Sequence, residues 1–389
     1  MKTGKPISKK EKLPEWAPLD GGKGFACRVV EGVEGGHDGI ASYAGTKSTS
    51  VPAKRRPSLS IDDYVQGVLN RDRAILGRAI TLVESNARAH MGLAQEVLKQ
   101  LLPFTGKSIR IGITGVPGVG KSTFIESLGV YLLDLGYRLA VLAVDPSSSI
   151  TGGSILGDKT RMESLSRDKR CFIRPSPTGG ALGGVARKSR ETMLVCEAAG
   201  FDLILIETVG VGQSEITVRS MVDFFLLLML AGAGDELQGI KKGIIELADA
   251  VIITKADGDN KSRAEVAGSE YERAIHYMQP ATEGWNPPVF TCSAVSGKGI
   301  KETWSVIERF RRQTAASGLF DSRRRSQTLE WISEMVDEHM RTLFFNHPGV
   351  AEAIPEIEKR VLNGALPPTA AATRLISIFE GKGNKFEVS

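Results

Sequence analysis

Cysteine is scarce in this chain of 389 residues. There are four, Cys27, Cys171, Cys196 and Cys292, and no two are close enough for a CxxC motif. That excludes a disulfide framework and a zinc ribbon, and a reducing, cytoplasmic setting is expected. Histidine is equally thin. His37, His90, His276, His339 and His347 are scattered, without the spacing of a metal site. Long apolar runs are missing too. The richest stretch, Phe224 to Ala233, is FFLLLMLAGA. It falls far short of the roughly 20 residues that span a bilayer and fits a strand buried on both faces. The N-terminus lacks the apolar core of a secretory signal. An excess of one charge is nearly absent. The formal net charge is +5, and residues 1–57 hold eleven basic and six acidic side chains, which accounts for all of it. The other 332 residues are formally neutral. A basic body built to coat nucleic acid or a membrane is therefore not expected.

What remains is an ordinary globular composition, 41% apolar and 24% charged. Residues 1–57, rich in Gly, Lys, Ser and Pro, are expected to form a disordered basic tail. Residues 58–105 should be a layer of amphipathic helices, opened by Ser60-Ile61-Asp62-Asp63 as an N-cap with an acidic N3 residue. From 106 to 312, β-rich runs alternate with helical stretches: IRIGIT, RLAVLAV, CFIRP, DLILIE, FFLLLML, AVIIT and PVFTC. That alternation predicts an α/β domain, a doubly wound and mainly parallel sheet. Residues 313–389 return to helix. Leu329, Ile332, Val336, Met340 and Leu343 mark one apolar face, which suits core packing or self-association equally.

The strongest motif is Gly115-Val116-Pro117-Gly118-Val119-Gly120-Lys121-Ser122-Thr123. It fits G-x-x-x-x-G-K-[ST] between a strand expected over Arg110 to Thr114 and a helix over Ser122 to Leu135. Its glycines let backbone N–H groups surround phosphate oxygens, and the helix N-terminus adds positive charge. Lys121 should reach the β- and γ-phosphates, and Ser122 should ligate Mg²⁺. Carboxylates at neighbouring strand ends are the other metal candidates. Asp145 follows the strand Arg138 to Val144, Asp158 lies in a Gly-rich segment suited to a switch, and Glu207 follows the strand Asp202 to Ile206. Asp145 and Asp158 also fit as turn or cap residues. Gly210 can offer its N–H to the γ-phosphate. Val211 stands where small GTPases carry their catalytic glutamine, and Gln213 comes later. Slow intrinsic hydrolysis, open to stimulation by a partner, is expected.

A second constellation reads the base. Thr254-Lys255-Ala256-Asp257 follows the strand Ala250 to Ile253, and Ser293-Ala294-Val295 follows the strand Pro288 to Thr291. These resemble the NKxD and SAx elements of GTPases. Asp257 would accept hydrogen bonds from guanine N1–H and its 2-amino group, and adenine offers neither donor. The Ala294 N–H would meet guanine O6. GTP therefore suits the site better than ATP. Thr254 replaces the usual asparagine, which keeps a hydroxyl but loses the amide that braces the loop.

GVPGVGKST, DPSSS, PTGGALGGVARKSRET, ETVGVGQSE, GDELQGIKKG, TKADGDN and HPGVAEAIPEIEKRVLNGALPPTAA together resemble the MeaB/MMAA-type GTPases, whose relatives have been called ArgK or LAO/AO transport ATPases. The resemblance covers about residues 60–380. It implies a GTP- and Mg²⁺-dependent chaperone that gates adenosylcobalamin loading and protects an acyl-CoA mutase such as methylmalonyl-CoA mutase. It also implies a homodimer assembled through the C-terminal arm, and a third switch at GDELQGIKKG. Two other readings stay open at this level: a nickel-insertion GTPase, and a kinase acting on a transport-binding protein.

Overall fold

A computed structural model describes residues 59–85, 87–144, 162–175, 182–208, 214–232 and 242–381. All of them lie in one compact unit, Ser58–Ser389. The expectations for the tail 1–57, for Asp145 and Asp158, for Gly210 and Gln213, and for residues 235–241 of the third switch fall outside the described residues.

Three helices open the unit: α1 (Ile61–Leu69), α2 (Arg73–Val83) and α3 (Arg88–Leu101). Ser60 caps α1 in a reciprocal box with Asp63, which satisfies two donors left over at the helix start. Asp72 caps α2 by accepting from Ala74 and Ile75 N–H. The domain that follows is β1 (Ile109–Gly115), α4 (Lys121–Asp134), β2 (Leu139–Val144), α5 (Glu163–Arg167), β3 (Cys171–Pro175), α6 (Leu182–Ala198), β4 (Leu203–Thr208), α7 (Ser214–Arg219), β5 (Phe224–Leu230), α8 (Lys242–Leu247), β6 (Ala250–Thr254), α9 (Lys261–His276), β7 (Val289–Thr291) and α10 (Ile300–Ala316). The arm is α11 (Leu319–Phe345), α12 (Pro348–Leu362) and α13 (Pro368–Phe379).

All seven strands are parallel, in the order β3-β2-β4-β1-β5-β6-β7. The doubly wound fold expected from the sequence is the one observed. Side chains of a strand point alternately to opposite faces, and here both faces are apolar. Ile109, Ile111 and Ile113 of β1, with Leu203 and Leu205 of β4, join Phe124, Leu128 and Leu132 of α4 and Ile307 and Phe310 of α10. Ile204 and Ile206 face the opposite side, in one core with Val65, Leu76, Ile80 and Val97 of α1–α3. The N-terminal helices therefore share the core of the sheet.

α11 is rooted at the amino edge of the sheet. Arg324 grips Asp223, the residue before β5, through Nε at 2.7 Å and Nη2 at 2.6 Å. It also donates to the Gly106 and Ser108 carbonyls at 2.7 and 2.6 Å. Arg323 pairs with Asp249, the residue before β6, at 3.5 Å. Gln327 Nε2 donates to the Val222 carbonyl at 2.8 Å. Farther along, the apolar face foreseen at Leu329, Ile332, Val336, Met340 and Leu343 is 46–66% exposed. It is no part of this chain's core. Among the described residues, no helix is long and apolar enough to cross a membrane.

Candidate functional site: a nucleotide cradle at the carboxyl edge

In an open parallel sheet, the crevice outside the carboxyl ends of the strands is where ligands bind, at the point where strand order reverses. Here β1 stands between β4 and β5, and its carboxyl end runs directly into the glycine motif. Gly115 has φ +154°, and a Cβ there would sit 2.4 Å from the Leu228 carbonyl oxygen. Only glycine fits this approach of β1 to β5. Gly120 is left-handed at φ +96° and precedes α4, which has no side-chain cap. The first N–H groups of α4 thus have no competing cap, as an anion cradle requires.

Lys121 starts α4 and is only 9% exposed. Its Nζ donates to the Gly115 carbonyl at 2.7 Å and the Val116 carbonyl at 3.3 Å. Burial pushes its pKa down, and the Glu207 and Glu215 carboxylates pull it back up. Ser122 Oγ donates to Glu207 Oε1 at 3.0 Å. The apolar run stops at Ile206, but strand β4 runs on through Thr208. These last two residues are polar yet held in the sheet. Glu207 meets Ser122, and Thr208 Oγ1 donates to Thr114 Oγ1 at 2.8 Å. A hydroxyl beside a carboxylate at a phosphate loop is a hard-oxygen pair of the kind that suits Mg²⁺.

The residues expected to read the base come from the ends of β6 and β7. Thr254 is 5% exposed. Its hydroxyl lies 2.8 Å from the Val119 carbonyl and 3.1 Å from the Met229 carbonyl. The substitution of threonine for asparagine therefore leaves a direct tie to the phosphate loop. Lys255 follows in a left-handed conformation, φ +56°. A Cβ on Gly120 would lie 3.9 Å from Lys255 Cε, so the lysine stem lies alongside the phosphate loop. Asp257 is exposed and accepts a hydrogen bond from Ser293 Oγ. Ser293 Oγ in turn accepts from Ser296 N–H at 3.2 Å. Ser127 of α4 donates to the Ala294 carbonyl at 2.9 Å, which ties the second base loop to the phosphate helix. Val295 is 87% exposed.

Of the expected site residues that the structure describes, Gly115 to Thr123, Glu207, Lys255, Asp257 and Ser293 to Val295 all lie at the carboxyl edge of the sheet, on strand ends, on the first turn of α4 and on the loops between. Two participants were missed. Glu215, in the first turn of α7, is 3% exposed and close enough to Lys121 to act on its charge. Asn260 Nδ2 donates to the Lys255 carbonyl at 2.8 Å. A carboxylate soon after the second acidic motif was the available signal for the first. The second had none beyond its place in TKADGDN.

Comparison with known proteins agrees with this geometry. Residues 76–348 match the family described as methylmalonyl Co-A mutase-associated GTPase MeaB. The chain belongs to the MeaB family. GTPase ArgK of Escherichia coli is 45% identical over 316 residues, 81% of this chain and 96% of that one. The mitochondrial methylmalonic aciduria type A homolog of Mus musculus is 47% identical over 332 residues, 83% of this chain and 80% of that one. The solved structure of an LAO/AO transport system kinase is 36% identical, with a TM-score of 0.69, and covers 83% of this chain and 100% of its own. This MeaB-family chain is thus a P-loop GTPase that binds guanine nucleotide.

Proposed function

We propose that this GTPase is a chaperone of an adenosylcobalamin-dependent acyl-CoA mutase such as methylmalonyl-CoA mutase. In this reading it gates loading of the cofactor and protects the mutase. The observation that carries the reading is the match over residues 76–348 to a family described by its association with that mutase. The name of the mouse relative points the same way.

Within the site, Lys121 and the N-terminus of α4 hold the β- and γ-phosphates, and Asp257 with the Ala294 N–H reads guanine. Ser122 and Glu207 hold Mg²⁺, aided by Asp145 and Asp158. The ion neutralises charge on the phosphates. Gly210 and Gln213 lie next in the chain to α7 and serve the γ-phosphate side. With Val211 where small GTPases carry their catalytic glutamine, the protein hydrolyses GTP slowly until the mutase orders the site. The exposed face of α11, Leu329 to Leu343, pairs with a second copy in a cytoplasmic homodimer. An apolar stripe of this length on a helix rooted by buried arginines supports that assembly.

The test is GTP hydrolysis with and without mutase apoenzyme, using Lys121→Ala as the inactive control. Acceleration of about 10³-fold or more, the lower end of what a supplied arginine gives, is expected. No acceleration by an acyl-CoA mutase of the same source would sink the proposal.

A further inference from the structure

We propose that Asn260 is a positioning residue for guanine recognition, and that its side-chain amide supplies the brace the base loop lacks at Thr254. The inference rests on the assignment of Asp257 as the guanine reader.

Asn260 occupies the N-cap position of α9, where asparagine ordinarily accepts from the first free N–H groups of the helix. It does not do so here, because no side-chain cap is present. Instead the amide turns back across the short 3₁₀ turn Gly258–Asn260 and donates to the Lys255 carbonyl at 2.8 Å. Its backbone N–H donates to the Asp257 carbonyl at 3.1 Å. Asn260 therefore holds the loop at both residues that matter.

The bond to Lys255 falls where the backbone most needs support. Lys255 is one of two non-glycine residues with positive φ among the described residues, a conformation that costs free energy for a residue with a Cβ. Two contacts depend on it. The lysine stem lies beside Gly120, and Thr254, one residue earlier, is tied to Val119. Asp257 stands two residues later and takes its direction from the same turn. Thr254 thus fixes the loop from the β6 side, and Asn260 fixes it from the α9 side. An asparagine in the place of Thr254 would brace the loop with its own amide. Here that work is divided between a hydroxyl and an amide six residues apart in sequence.

The experiment measures GDP and inosine diphosphate affinities, with GTP turnover, for the full chain and for Asn260→Ala and Asn260→Asp. Inosine lacks the 2-amino group that Asp257 reads. Asn260→Asp keeps the shape, loses the donor and sets a carboxylate against a carbonyl. For Asn260→Ala, GDP affinity should fall about five- to tenfold, the effect of one hydrogen bond. KM for GTP should rise in parallel, and kcat should stay within about twofold. Asn260→Asp should lose more. The preference for GDP over inosine diphosphate should narrow in both. Equal losses for the two nucleotides would make Asn260 a general loop support and overturn the proposal. So would GDP affinities within about twofold of the parent chain. A parallel Asp257→Asn arm, assayed with xanthosine diphosphate, separates the two failures. If that variant turns to xanthine while the Asn260 variants are silent, only the role of Asn260 falls. If Asp257→Asn leaves GDP affinity unchanged, the base-site assignment falls and this inference falls with it.

Discussion

Replacing Arg324 by methionine should release the root of the C-terminal arm and leave the nucleotide site intact. The side chain is 15% exposed and its partner Asp223 is 2% exposed. Four hydrogen bonds end at Arg324: two to the Asp223 carboxylate, one to the Gly106 carbonyl and one to the Ser108 carbonyl, all between 2.6 and 2.7 Å. Methionine keeps a stem that can pack on Phe320, whose ring centre lies 4.6 Å from the guanidinium carbon. It leaves Asp223 buried, with the Arg110 N–H at 2.8 Å as a remaining donor. Removing one partner of a buried pair costs about 3–5 kcal/mol, because the other charge is stranded. With the charge also removed by Asp223→Asn, the further cost of Arg324→Met should shrink to about 1–2 kcal/mol, that of ordinary lost hydrogen bonds.

Urea unfolding of the two single variants and the double variant measures the difference. The Arg324→Met midpoint should fall by about 1 M or more if m is near 3 kcal/mol/M. GDP affinity below the transition should match that of the parent chain, because Asp223 lies at the amino edge of the sheet and the phosphate loop at the carboxyl edge. A loss below about 1 kcal/mol, or equal losses with and without the Asp223 charge, would refute the stranded-charge reasoning.

Three other outcomes are expected. Thr254→Val keeps the shape but removes the hydroxyl 2.8 Å from the Val119 carbonyl, and equilibrium GDP binding should weaken about fivefold. Burial raises the Glu191 pKa to about 7, against the opposing pull of Arg187, a hydrogen bond from Gln95 and Lys188. The folded value lies above the unfolded one, so this group's stability is fully present below about pH 4.5 and is lost as pH rises through 7. Glu191→Gln should therefore be nearly neutral at pH 4.5 and stabilising by up to about 3 kcal/mol at pH 8, as read by denaturation at the two pH values. Val336→Asp places a charge in the middle of the exposed face of α11, and analytical ultracentrifugation should find a monomer that still hydrolyses GTP.

The parts that could be read from sequence share a physical reason. Strands of a parallel sheet are buried on both faces, so LILI and FFLLLML stand out as unbroken apolar runs and IRIGIT as a short β-rich one. The phosphate loop needs glycine for backbone reasons that no other residue meets, so Gly115 to Lys121 can be found by spacing alone. Thr254 was read as a loss because a lone sequence shows the missing amide and not the Val119 carbonyl 135 residues away. Asn260 was hidden for a related reason. Its position looks like an ordinary helix cap, and only the structure shows the amide spent elsewhere. The face of α11 was visible as a period, but periodicity marks an apolar surface without saying what covers it. The buried polar node around Asp249 left no trace, since it joins residues far apart in the chain.

That node also explains why the arm is seated where it is. Asp249 Oδ1 accepts from Thr282 Oγ1 at 2.6 Å and lies 3.7 Å from Arg219, while Oδ2 accepts from Phe225 N–H at 2.9 Å and pairs with Arg323. Arg219 ends α7, and its Nε donates to the Leu247 carbonyl at the end of α8 at 3.0 Å. α7 directly follows residues 209–213, and α8 directly follows residues 233–241. Both short helices thus lead to the same buried carboxylate. α11 is fastened to that carboxylate by Arg323 and to the end of α7 by Gln327. A shift of α7 along its axis must carry Asp249 and α11 with it or separate Arg219 from that carboxylate. Separation would cost several kcal/mol, more than most surface rearrangements. Anchoring the arm at the amino edge keeps it away from the phosphate loop and still binds it to the end of α7, and through Arg219 to the end of α8.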